Sequence, residues 1–149
     1  MKPNKYIYYF LLVVLSLVFG TLIYVLFRPE NTIFLQWLNI SERANTSMKN
    51  LHLFSTSFSS FFVNSLPDGL WTFSLMNFLL LIWKSRLSQA SMSWLILASV
   101  TAFYFEFGQL YNFVPGTFDI GDLSMIILSL ILPFLIFKQQ LKFQHYENL

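Results

Sequence analysis

Charged residues in this chain are confined to short punctuating segments, and the stretches between them are apolar enough for a lipid core. The first stretch, residues 6–27, holds 22 residues with no charge. Three more follow at about 67–83, 93–111 and 122–137. A helix that crosses a bilayer needs roughly 20 apolar residues, within a range of about 17–25. The later stretches sit at the short end. About 17 residues at ~1.5 Å per residue reach about 25 Å, which calls for a locally thin bilayer or for ends completed by neighbouring helices. The pattern predicts an all-α membrane protein, a four-span transmembrane helix bundle forming one domain over residues 1–149.

The first stretch also has the basic flank of a signal peptide, in Lys2 and Lys5. Its length exceeds the ~7–15 residues of a signal core, and Arg28-Pro29-Glu30 follows where small residues would mark cleavage. A retained transmembrane helix is expected.

The segment from residue 28 to 66 carries two further helical patterns. Ile33, Phe34, Trp37 and Leu38 fall on one face of a short helix, with Trp37 suited to a headgroup region. After a polar stretch, Leu51, Phe54, Phe58, Phe61, Phe62 and Leu66 again follow helical spacing, with serine and threonine filling most positions between them. Residues 51–66 are expected to form an interfacial or re-entrant helix. The outer loop thus holds one or two interfacial helices.

Composition supports the membrane reading: 56% of residues are hydrophobic and 11% charged, against about a quarter charged in soluble domains. The absence of cysteine excludes disulfides and thiolate chemistry. The scattered basic residues form no patch suited to nucleic acid.

Charge adds a topology. With four spans, one side holds Lys2, Lys5, Lys84, Arg86, Lys138 and Lys142 against Glu147, six cations to one acid and a net of +5. The other holds Arg28, Arg43 and Lys49 against six acids, a net of −3. The basic side is cytoplasmic by the positive-inside rule, so both termini are expected there. A three-span or five-span arrangement would break the partition.

The same topology gathers Asp68, Glu106, Gln109, Asp119 and Asp122 near the opposite, extracytoplasmic face. An ionised carboxylate at the bilayer centre costs about 2.5–3.5 kcal/mol on insertion scales, so a carboxylate kept beside a span either caps a helix or builds a polar site. Glu106 and Gln109 stand three residues apart on one helix face, among Phe105, Phe107, Leu110 and Tyr111. Asp119 or Asp122 can cap the fourth helix, and Asp68 lies in the first turn of the second. Capping accounts for one of the two later aspartates more readily than for both. Asn77, in mid-span, is expected to bond another helix. His52 and His145 fall on opposite sides, so no histidine metal site is expected. No cofactor motif, phosphate loop or catalytic triad pattern is present, and no catalytic residue is assigned.

Glu-x-x-Gln at a helix end, a glycine-containing turn and Asp-x-x-Asp opening the next helix resemble the VanZ-like family, small multipass bacterial membrane proteins named for teicoplanin resistance. Glu106, Gln109, Gly116, Asp119 and Asp122 carry the resemblance, which covers residues 94–132. The family's arginine and asparagine positions are Thr117 and Ile126 here. The resemblance implies a protein of the bacterial inner membrane and cell envelope, with no enzymatic activity established. The expected function is a non-enzymatic outer-face pocket, built from Glu106, Gln109, Asp119, Asp122 and Asp68, that binds a cation or an envelope-associated ligand. Two alternatives stand beside it: an intramembrane enzyme acting on lipid-linked or envelope substrates through carboxylate catalysis, and an assembly subunit whose acids are caps and wetted ends. Expected partners are the lipid bilayer, such a cation or ligand, and an oligomeric or membrane partner; nucleic acid is not among them.

Overall fold

A computed structural model describes residues 5–27, 57–138 and 141–143. The helix expected around Ile33 to Leu38 and the first part of the 51–66 segment lie outside the described residues.

Among the described residues four helices follow in chain order: α1 (Lys5–Phe27), α2 (Ser57–Ile82), α3 (Gln89–Leu110) and α4 (Ile120–Ile136). α1, α3 and the Phe61–Ile82 part of α2 are each long and apolar enough to cross a membrane. α4 is equally apolar but shorter, at 17 residues. Two residue pairs add the one sheet among the described residues, in which β1 (Arg86–Leu87) runs parallel to β2 (Lys142–Phe143).

One expectation is corrected. Residues 57–66 form no separate interfacial helix but continue into the second span as the 26-residue α2, straight through Pro67. Proline favours a helix start, and on sequence alone residue 67 marks one. Inside a helix, its missing N–H leaves the carbonyl four residues earlier without its usual donor. Burial of the Pro67 ring in the bundle offsets that loss.

α2 is the hub, packing extensively along α1 and α4 and only lightly on α3. α1 runs antiparallel to it and α4 parallel to it. On α1, Gly20 lies against Leu70 and Trp71, the Val13 carbonyl accepts from Ser74 at 2.9 Å, and Tyr9 lies beside Ser85. On α4, Gly121 faces Ser65 and Phe61, and Gly69 of α2 meets Met125 and Ser129. Tyr9 stacks on Phe137 at 3.8 Å between ring centroids, joining α1 to the far end of α4. That end holds the buried apolar core, with Met76, Leu80, Leu87 and Leu95 around Tyr9. The exposed cations Lys84, Arg86 and Lys138 surround it, whereas Asp68, Glu106, Asp119 and Asp122 all lie at the opposite end.

Both helices of the α2–α3 hairpin end alike. After α2, the Ser85 N–H donates to the Leu80 carbonyl at 2.8 Å and the Lys84 N–H to Leu81 at 3.0 Å. After α3, the Phe113 N–H donates to Gly108 at 2.8 Å and the Asn112 N–H to Gln109 at 3.1 Å. These paired bonds define Schellman caps, which require a left-handed residue just past the helix. Lys84 (φ 50°) and Asn112 (φ 58°) take that place instead of glycine. α3 begins with a capping box. The Ser88 side chain accepts from the Ser91 N–H at 3.3 Å, and Ser91 Oγ accepts from the Ser88 N–H at 2.8 Å.

Asn77 is fully buried in α2, yet its amide donates to the Phe73 carbonyl of its own helix at 2.7 Å rather than to a neighbouring helix. The inter-helix polar bond is made three residues earlier, by Ser74.

A Cβ at Gly69 would stand 2.9 Å from the Met125 Cβ. Gly69→Leu is therefore expected to push α2 and α4 apart and cost about 1–3 kcal/mol. The check is a lowered melting temperature of the detergent-solubilised protein. An unchanged one would mean that the two helices do not meet there.

Candidate ligand pocket

The ends of α2, α3 and α4 that carry acidic residues converge, and spacing along each helix decides what meets. Asp68, Trp71 and Thr72 of α2 stand at i, i+3 and i+4. Ala102, Phe105, Glu106 and Gln109 of α3 stand at i, i+3, i+4 and i+7. Each set forms one helix face. The two faces border a half-open cavity of about 440 Å³, lined also by Val114 and Pro115 of the α3–α4 loop and by Ile126 of α4.

Glu106 is the centre of this site. It is only 4% exposed, and Asp122 of α4 only 7%. The two carboxyl groups come into hydrogen-bonding contact, with Asp68 and Asp119 close enough to act electrostatically on Glu106. The Oε2 atom of Glu106 is enclosed and has no hydrogen-bond partner. Two carboxyl groups in contact repel when both are ionised, so the pair needs either a shared proton or a compensating positive charge. Among the described residues the basic side chains Lys84, Arg86 and Lys138 stand at the other end of the bundle, so none of them supplies that charge.

The loop holds the end of α3 in place. Val114 packs on Gly108, where a Cβ would come within 2.6 Å of its Cγ2. Gly116 has φ 144°, and a Cβ there would meet the Gln109 amide carbon at 2.6 Å. Glycine is required at 116 on both counts, by backbone conformation and by the amide laid across it.

The two later aspartates divide their roles. Asp119 is exposed and caps α4, accepting from the Gly121 N–H at 2.8 Å. Asp122, one turn on, turns inward to Glu106. Asp68, Glu106 and Gln109 line the cavity, Asp122 touches it through Glu106, and Asp119 acts on it only at a distance. Trp71, Thr72 and Phe105 escaped the sequence reading, although their spacing from Asp68 and Glu106 places them on the same faces. At the two positions where the VanZ-like pattern differs, Ile126 lies buried in the cavity wall and Thr117 is exposed in the loop.

Among the described residues no three His, Cys, Asp or Glu side chains are arranged to hold a metal ion. The Thr72 hydroxyl donates to the Asp68 carbonyl at 2.8 Å within its own helix. No family model, curated protein or solved structure matches this chain.

The capping role of Asp119 makes a prediction separable from ligand binding. Asp119→Ala should cost about 1 kcal/mol, while Asp119→Asn, an equally good cap, should keep most of the stability. Thermal melts of the purified protein decide it. Equal losses in both variants would show that the charge, not the cap, matters.

Proposed function

We propose that this chain is a VanZ-like, non-enzymatic integral membrane protein of the bacterial cell envelope. In this reading it has four spans, both termini are cytoplasmic, and the acidic end faces outward as a pocket for a positively charged, envelope-associated ligand. The observation that carries the reading is Glu106: buried, in contact with a second carboxyl, with its Oε2 enclosed and lacking a hydrogen-bond partner, and lining a cavity that Asp68 also lines. An ionisable group held in that way is expensive unless something answers its charge.

The parallel packing of α4 along α2, from Gly121 beside Ser65 at one end to Phe137 beside Tyr9 at the other, supports a fourth span despite its length. The separation of Lys84, Arg86 and Lys138 from the four acids supports the orientation. The pocket's one hydroxyl, on Thr72, is committed to a backbone carbonyl, so it is not activated as a nucleophile.

The absence of cysteine makes single-cysteine labelling direct. Thr117→Cys should react with an impermeant maleimide from outside spheroplasts, and Lys138→Cys only after lysis. Labelling of both from outside would reverse the topology. Ala102→Cys, in the cavity wall, should react with a trimethylammonium methanethiosulfonate at least about tenfold faster than with its sulfonate counterpart. Glu106→Gln should shrink that ratio. Equal rates for the two reagents would end the reading of the pocket as a receptor for positive charge.

A further inference from the structure

We infer that the pocket's ligand is an organic ammonium group, bound by the Glu106 carboxylate and by the aromatic faces of Trp71 and Phe105, and not a metal ion. The inference rests on the cation-binding reading above and narrows it to one chemical class.

Two positive ligands are chemically distinct here. A hard metal ion wants several oxygens at once, six to eight for Ca²⁺ at about 2.3–2.6 Å, or an octahedral set for Mg²⁺. The described residues hold no cluster of three or more candidate ligands. The site offers acids from different helices around a space of about 440 Å³, within the ~300–1,000 Å³ typical of small-molecule pockets. Such a space is poorly matched to a bare ion that must be gripped at bonding distance.

An ammonium group has the opposite requirements. It is large and weakly coordinating, and it needs one or two carboxylates nearby and aromatic faces to replace water. Trp71 from α2 and Phe105 from α3 both line the cavity that holds Glu106. Trp71 is fixed from behind: its ring rests on Gly20, tilts against Tyr24 at 5.2 Å, and its indole N–H reaches Thr21 at 3.4 Å. An aromatic ring facing a cation contributes most when the site is dry, and tryptophan contributes most among the rings. Glu106 satisfies the remaining condition, since it lines the space the ligand would fill and its Oε2 is buried with no hydrogen-bond partner.

The test uses the full chain in phosphatidylglycerol nanodiscs, titrated by calorimetry with tetramethylammonium chloride, ethylammonium chloride, sodium chloride and magnesium chloride at matched ionic strength. The organic cations should bind at least tenfold more tightly than sodium or magnesium. Glu106→Gln should abolish their binding. Trp71→Leu should weaken it roughly threefold to thirtyfold, with Trp71→Phe between. Phe105→Leu, on a different helix, gives the same test should Trp71→Leu disturb the α1 contact. Sodium or magnesium binding as tightly as tetramethylammonium, or tetramethylammonium affinity unchanged in both aromatic variants, would overturn the inference. Adding phosphatidylethanolamine to the nanodiscs fixes the source. Competition with tetramethylammonium supports a lipid headgroup as the ammonium donor, and undiminished binding supports a soluble or envelope-borne amine. Failure of this inference is distinguishable from failure of the broader reading. Charge-selective labelling at Ala102→Cys would survive a preference for metal, and would vanish only if the pocket does not receive cations.

Discussion

Close approach at small residues is the interaction on which this bundle depends. Lipid chains are as apolar as leucine, so no hydrophobic gradient drives one membrane helix onto another, and van der Waals contact must supply the attraction. α2 meets that condition on both sides. Gly20 of α1 admits Trp71, Gly69 of α2 admits Met125, and Gly121 of α4 admits Ser65 and Phe61. Larger residues at these positions would open gaps that forfeit the contacts on either side. The seam also buries small polar groups, Ser16, Ser65, Ser74 and Ser129 among them, and Ser74 makes an inter-helix bond to the Val13 carbonyl.

α3 stands apart from that scheme, and the difference explains the pocket. Its only buried residues are Ser91 and Leu95 near one end and Glu106 and Gly108 near the other. Between them, Ile96, Leu97, Val100 and Tyr104 are exposed. The helix is pinned at its ends, by the serine capping box at its start and by the Asn112 cap with Val114 on Gly108 at its finish. A helix held at its ends leaves space between itself and the hub, and the cavity occupies that space at the acidic end. The buried carboxyl contact between Glu106 and Asp122 is therefore part of how α3 is joined to α4.

Much of this was legible in the chain because the governing signals are local or global, with little in between. The four apolar runs correspond to four helices, and among the described residues Lys84, Arg86 and Lys138 stand at one end of the packed helices and the four acids at the other. Proline misled the placement of α2, because residue 67 resembles a helix start while tertiary packing carries the helix through it. The start of α3 was placed late because Ser88 and Ser91 form a capping box with serine where glutamate is usual. Asn77 was assigned to a neighbouring helix, but a carbonyl one turn back on its own helix is nearer. For the site, the acids and Gln109 were readable, whereas the division of labour between Asp119 and Asp122 depends on which way one helix turn faces. Trp71 and Phe105 were hidden in plain view, since an aromatic residue in an apolar run carries no mark of what it faces.

The cost of the carboxyl pair connects fold to function. Had all the acids capped helices, they would sit exposed like Asp119, and membrane insertion would cost little. Asp122 stands one turn further on and is buried instead, against a glutamate that is also buried. A seam built only for packing would be served better by apolar side chains of the same size, which is the usual outcome when buried charges are replaced. Ile126, in the same wall, shows that this chain places an apolar residue there where one suffices. On the reading proposed above, the two acids beside it serve a positively charged ligand, which on binding answers the charge that a shared proton otherwise neutralises.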